Sequence, residues 1–75
     1  LEEKITETRI RQAWSKIMGQ AIGRYTRRII LKKGELTVYL NSSVLREELS
    51  MGKSKIVKLI NKEMGSDVID SITFR

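Results

Sequence analysis

The chain has no cysteine, no histidine and no proline among its 75 residues. Without cysteine there are no disulfides and no thiolate metal sites, which fits a reducing, cytoplasmic setting. Without histidine the commonest metal ligand and the usual neutral-pH proton shuttle are both missing. The absence of proline means that no helix or strand is interrupted by a missing N–H donor. Aromatic residues are few: one Trp, two Tyr and one Phe. The longest apolar run, Ile29-Ile30-Leu31, is far short of a membrane span or a signal-peptide core. Leu1 is not methionine, so residues upstream of it are expected in the natural protein.

What is present is charge. Fifteen Lys and Arg stand against nine Asp and Glu, a net charge of +6. Such a balance favours polyanions or an acidic protein partner. Hydrophobic residues make up 40% of the chain, enough to distinguish it from a disordered segment. At this length one domain over residues 1–75 is expected, burying only roughly 60% of its unfolded surface. A deep catalytic cleft does not fit into so small a body.

The spacing predicts a first helix over residues 2–18, with Ile10, Ala13, Trp14, Ile17 and Met18 on one stripe and Ile5 extending it backwards. Gly19 is its natural stop. Residues 20–25 read as a turn or helical extension that carries Ala21 and Ile22 to the core. Residues 26–33 read as a strand centred on Ile29 and Ile30. Lys33-Gly34-Glu35 is a tight hairpin connection. Residues 36–40 alternate cleanly, Leu36, Val38 and Leu40 against Thr37 and Tyr39, so the two strands should pair antiparallel. Asn41, Ser42 and Ser43 are all good N-cap residues. A short helix follows near 44–50, with Leu45 and Leu49 on its buried face. After Gly52 a second helix runs over 54–64, with Ile56, Leu59, Ile60 and Met64 inward and Gly65 as its left-handed cap. Residues 68–75 read as the last strand, with Ile72 and Phe74 on one face.

This is an α+β pattern, one three-stranded sheet with helices on one face. The order α-β-β-α-α-β is that of a type II KH-like domain. The outer sheet face would carry Thr37, Tyr39, Thr73, Arg28 and Lys32.

Two constellations could carry function. The first is the basic turn Met51-Gly52-Lys53-Ser54-Lys55 and the helix after it. Lys55, Lys58 and Lys62 are spaced i, i+3, i+7 and form one stripe. Gly52 allows another backbone to come close, and a helix N-terminus suits phosphate. The same lysines could equally be the solvated face of an amphipathic helix. The second is Arg24, Arg27, Arg28, Lys32 and Lys33, with Tyr39 on the neighbouring strand as a stacking platform for an unpaired base. An edge strand also uses Lys and Arg to block aggregation.

Catalytic readings fail one by one. Gly52-Lys53-Ser54 resembles the end of a P-loop, but the first glycine of that motif would fall on Glu47, and the turn joins two helices. Trp14 lies on an apolar stripe and belongs to the core. Glu47 and Glu48 are adjacent and point in different directions, so they form no acid/base pair. The chain is read as a non-enzyme without cofactor, metal, small-molecule substrate or membrane contact.

The pattern Trp14-x4-Gly19-x2-Ile22-x3-Thr26, Gly34-x-Leu36-x-Val38, Asn41-Ser42-Ser43, Leu49, Leu59-x-Asn61-x3-Gly65 and Ile72-x-Phe74-Arg75 resembles the DciA-like family of bacterial domains. The resemblance covers nearly the whole chain. It implies a KH-like fold and a role at replication initiation, assisting the loading of the replicative helicase and binding DNA. One departure stands out: a KH-type G-x-x-G loop needs a second glycine where this chain has Lys55. The leading expectation is a nucleic-acid-binding module, with DNA rather than RNA as its expected partner. The alternative is a protein-interaction adaptor whose basic face docks an acidic partner.

Overall fold

The computed structural model describes residues 2–75. Seven elements follow one another: α1 (Glu2–Met18), α2 (Gln20–Tyr25), β1 (Thr26–Lys32), β2 (Glu35–Leu40), α3 (Ser43–Ser50), α4 (Lys53–Met64) and β3 (Ser71–Phe74). The α+β class and the sequence of elements are as read, with the segment after Gly19 forming a helix of its own. Gly19, at φ 96, is the break between α1 and α2.

The sheet has the order β1-β2-β3. β1 and β2 pair antiparallel, and β2 and β3 pair parallel. The hairpin turns on Lys33 (φ 51) and Gly34 (φ 81), two consecutive left-handed residues of the kind that matches the twist of paired strands. Lys33 therefore belongs to the turn, and β1 ends one residue sooner than its sequence suggests. β1 also carries a bulge. Thr26 pairs with Leu40 and Arg28 with Tyr39, which leaves Arg27 as the extra residue.

One core lies between the helices and the inner sheet face. Ile10 and Trp14 of α1, Ile29 and Leu31 of β1, and Leu36, Val38 and Leu40 of β2 meet Ile56, Ile60 and Met64 of α4 and Ile72 and Phe74 of β3. The Trp14 indole N–H donates to Thr26 Oγ1 at 2.8 Å, and that hydroxyl donates to the Ile22 carbonyl at 2.8 Å. The tryptophan is thus packed and satisfied. Ser42 is the cap that α3 uses, its Oγ accepting from the Leu45 N–H at 3.1 Å.

Three expected core residues lie elsewhere. Ile5 is 57% exposed, because the buried stripe runs backwards from Ile10 through Glu7, three residues away, rather than five. Leu59 is 45% exposed, since the inward row of α4 is Ile56, Ile60 and Met64, with Val57 packed at its side. Ala21 is exposed and lines a groove between α2 and α3, while Ile22 is the residue that α2 sends to the core.

β3 is shorter than the predicted strand. The N–H groups of Val68 and Ile69 are taken by Asn61 Oδ1, at 2.9 and 3.0 Å, and Asn61 Nδ2 donates to the Ile69 carbonyl at 2.9 Å. A single side chain of α4 thereby holds the loop in a non-strand path and buries Ile69.

Candidate nucleic-acid interface

The basic turn is formed by residues 51 and 52 between α3 and α4. Gly52 sits at φ −121, a conformation open to any residue, and an added Cβ there meets nothing within 4 Å. The fold itself does not require glycine at this position. No side chain caps α4. The first α4 N–H recorded as bonded back to the turn is that of Ile56, to the Gly52 carbonyl at 3.1 Å. The preceding N–H groups, of Lys53, Ser54 and Lys55, face outward as the free donors of a helix start.

Lys55, Lys58 and Lys62 are exposed along the outer side of α4, opposite Ile56, Ile60 and Met64. Lys53 is exposed as well, but stands apart from that row, beside a hollow lined by Val57, Asp70 and Ser71. Among the described residues the ion pairs are Lys4–Glu7, Arg11–Glu7 and Lys16–Glu63, so the four lysines of the turn and helix carry no carboxylate partner within 4 Å. Their charge is uncompensated.

The second expected cluster does not stay together. Arg28 and Lys32 lie with Thr37, Tyr39 and Thr73 on the outer sheet face, where the strand alternation put them. The Arg28 guanidinium lies 5.6 Å from the centre of the Tyr39 ring, so one face of that ring is covered. Arg27, the extra residue of the bulge, lines a cleft against α1 together with Lys4, Glu7 and Arg11, and Arg28 reaches the same cleft. Arg24 is exposed on α2, and Lys33 occupies the hairpin turn. Because α4 packs on α1 and β3 while the arginines belong to β1 or its flank, the two constellations occupy different edges of the sheet. With β2 between them, the edge strands are roughly 10 Å apart.

Composition gave no sign of one charged group in the interior. Glu7 is buried, the only buried charged residue among those described. The Leu31 N–H donates to its Oε2 at 2.9 Å, and Arg11 Nη2 donates to its Oε1 at 2.9 Å. The Leu31 N–H holds the Glu7 carboxyl below the ordinary glutamate value; burial opposes this, and the charges of Lys4 and Arg11 reinforce it. Its position three residues before Ile10 on the apolar stripe was the available signal.

Among the described residues no cluster of three or more His, Cys, Asp or Glu could hold a metal ion, and no helix is long and apolar enough to cross a membrane. Neither a curated protein nor a solved structure matches the chain. The sequence model of one family, described as Dna[CI] antecedent, DciA, matches residues 1–74. With a match that spans 74 of its 75 residues, the chain belongs to the DciA family.

Proposed function

We propose that this domain is a non-enzymatic, KH-like DNA-binding module that acts with the replicative helicase during its loading. Gly52, Lys53, Lys55, Lys58 and Lys62 are the phosphate-contacting surface in this reading. Family membership supports the replication role. The observation that carries the DNA contact is the uncompensated row of Lys55, Lys58 and Lys62 leading away from an uncapped helix start at Gly52. Phosphate oxygens are drawn both to the free N–H groups of a first helical turn and to the ammonium groups beyond it. A Cβ-free position between them lets a sugar-phosphate backbone lie against the turn.

Contacts of this type position a nucleic acid without reading its sequence. Arg28 and Tyr39 on the outer sheet face form a secondary contact, in which the guanidinium and ring present one stacked surface to an unpaired base. Arg24, Arg27 and Lys32 add positive potential around the β1 edge.

The test is charge reversal of Lys55 and Lys58 to Glu, with binding of labelled single-stranded and duplex DNA followed by fluorescence anisotropy at low and near-physiological salt. Affinity should drop by roughly tenfold or more at low salt, with unchanged circular dichroism. Unaltered affinity in a folded double variant would remove α4 from the interface.

A further inference from the structure

Two positions along the open edge of β1 are filled by carboxylates of the chain itself. The Leu31 N–H donates to Glu7, and the Lys33 N–H donates to the Glu3 carboxylate. Glu3 and Glu7 are four residues apart on α1, about 6 Å along the axis. Leu31 on β1 and Lys33 in the turn just past it are two residues apart, about 6.7 Å if extended. Helix and strand edge therefore run antiparallel and nearly in step.

The next step brings Ile29 opposite Arg11. The Arg75 N–H donates to the Val38 carbonyl at 2.8 Å, so Val38 turns its main chain toward β3. Ile29 is paired with Val38, and in an antiparallel ladder its own N–H and C=O must then face the open edge. No acceptor for the Ile29 N–H is present among the described residues. Where the first two steps offer a carboxylate, the third offers a cation. Arg27 and Arg28, with Lys4 and Arg11 that pair with Glu7, line a cleft of about 510 Å³ together with Ile29, so the cations outnumber the one carboxylate there.

We propose that this third step receives a carboxylate side chain from an extended acidic segment of a partner protein. The Ile29 N–H and the Arg11 and Arg27 guanidiniums would donate to it, while the Ile29 C=O accepts from the segment's main chain. The two filled steps show that the gap between α1 and the strand edge admits a flat carboxylate. An unpaired strand edge is made for extended peptide, and the local charge selects acidic side chains. The cleft lies at the opposite edge from the α4 lysines, so this site assigns the domain a protein contact separate from its DNA contact.

The test uses ¹⁵N-labelled chain titrated with a capped octapeptide of alternating Glu and Thr, followed by NMR. The Ile29 amide proton should move downfield and saturate, while the Leu31 amide, already bonded to Glu7, stays in place. Arg11→Gln and Arg27→Gln should each weaken binding by roughly tenfold, the value of one charge-assisted hydrogen bond. Arg11 also holds Glu7, so Arg27→Gln, which breaks no recorded ion pair, decides the matter if the first variant is unstable. An Ile29 amide unmoved by peptide, or one moved at lower concentration by oligothymidylate, overturns the proposal. The amides of residues 53–62, followed in the oligothymidylate titration, report on the DNA reading separately.

Discussion

Glu7 and Leu31 join the first helix to the sheet edge through a charged hydrogen bond: the Leu31 N–H lies 2.9 Å from Oε2 of a carboxylate that is almost wholly out of solvent. The bond satisfies an edge-strand donor that no neighbouring strand reaches. It also fixes the rotation of α1, because Glu7 shares its stripe with Ile10 and Trp14. A carboxylate on that stripe is tolerated because Arg11 and Lys4 accompany it.

Glu7→Gln should therefore cost about 1–3 kcal/mol of stability near neutral pH, by weakening a charge-assisted bond in a buried place. Glu7 releases its proton more readily folded than unfolded. Its contribution is then complete above the ordinary glutamate value, about 4.3, and disappears as pH falls through the lower value held in the fold. Urea unfolding at pH 7 and at pH 3 checks this. The gap between the natural chain and the variant should narrow at pH 3; a constant gap would mean the charge is immaterial.

Asn61→Ala should remove the acceptor of two main-chain N–H groups and the donor to one carbonyl. A loss of roughly 2 kcal/mol is expected, since the Ile69 N–H and carbonyl are left unpaired while the Val68 N–H keeps the Ser66 carbonyl at 2.9 Å. Hydrogen exchange at the Ile69 amide should quicken more than exchange at Val38, inside the sheet. Equal acceleration at both would show that the loop opens only with the whole domain.

Gly34→Ala and Gly52→Ala should behave in opposite ways. At Gly34 the backbone has φ 81, and an alanine Cβ would lie 2.5 Å from Asp70 Oδ1. The Asp70 side chain can swing aside, but φ cannot change without opening the hairpin, so a loss of about 1–2 kcal/mol is expected. At Gly52 an alanine fits, and the loss should stay within about 0.5 kcal/mol, the cost of a poorer residue at the N-cap of α4. DNA affinity should nevertheless fall in Gly52→Ala, because the added methyl group stands where the phosphate backbone approaches. Intact DNA affinity in that variant would argue that the backbone does not come so close.

Replacing Lys55, Lys58 and Lys62 together by Gln should lower the slope of log affinity against log salt by roughly 2 for single-stranded DNA, at about 0.7 per phosphate contact. Stability should change by less than about 1 kcal/mol, as these side chains are exposed on the outer side of α4 and form no ion pair. A slope equal to that of the natural chain would assign the electrostatic contacts to other residues.

Strong local patterns made much of this molecule readable from its residues. The alternation of Leu36, Val38 and Leu40 fixes the inner face of β2, and Gly65 closes α4 in the left-handed conformation (φ 83) that its position suggests. The faults lie where tertiary contacts choose between near-equal local options. Hydrophobicity alone favoured Ile5 over Glu7, and only the edge of β1 makes a buried carboxylate worthwhile. Residues 68–70 have strand-forming composition, but the Asn61 amide claims their main chain first. Arg24, Arg27 and Arg28 fall within five residues, yet the first stands on α2 and the other two on β1, where the register shifts at Arg27. No one-dimensional pattern foretells that bulge, and the separation of these arginines from the α4 lysines follows from β1 and β3 being opposite edges of the sheet.

The Lys33-Gly34 turn gathers more of the chain than a hairpin tip usually does. The Lys33 N–H is held by Glu3 near the start of α1, and the Gly34 carbonyl receives the Asp70 N–H at 2.9 Å just ahead of β3. Hairpin tips are ordinarily where domains accept inserted tags or circular permutation. In this domain the tip is a fastening point for the first helix and the last strand, and an insertion there would release both together. A fluorophore or affinity tag placed within the chain belongs instead at other exposed positions, well away from residues 33 and 34.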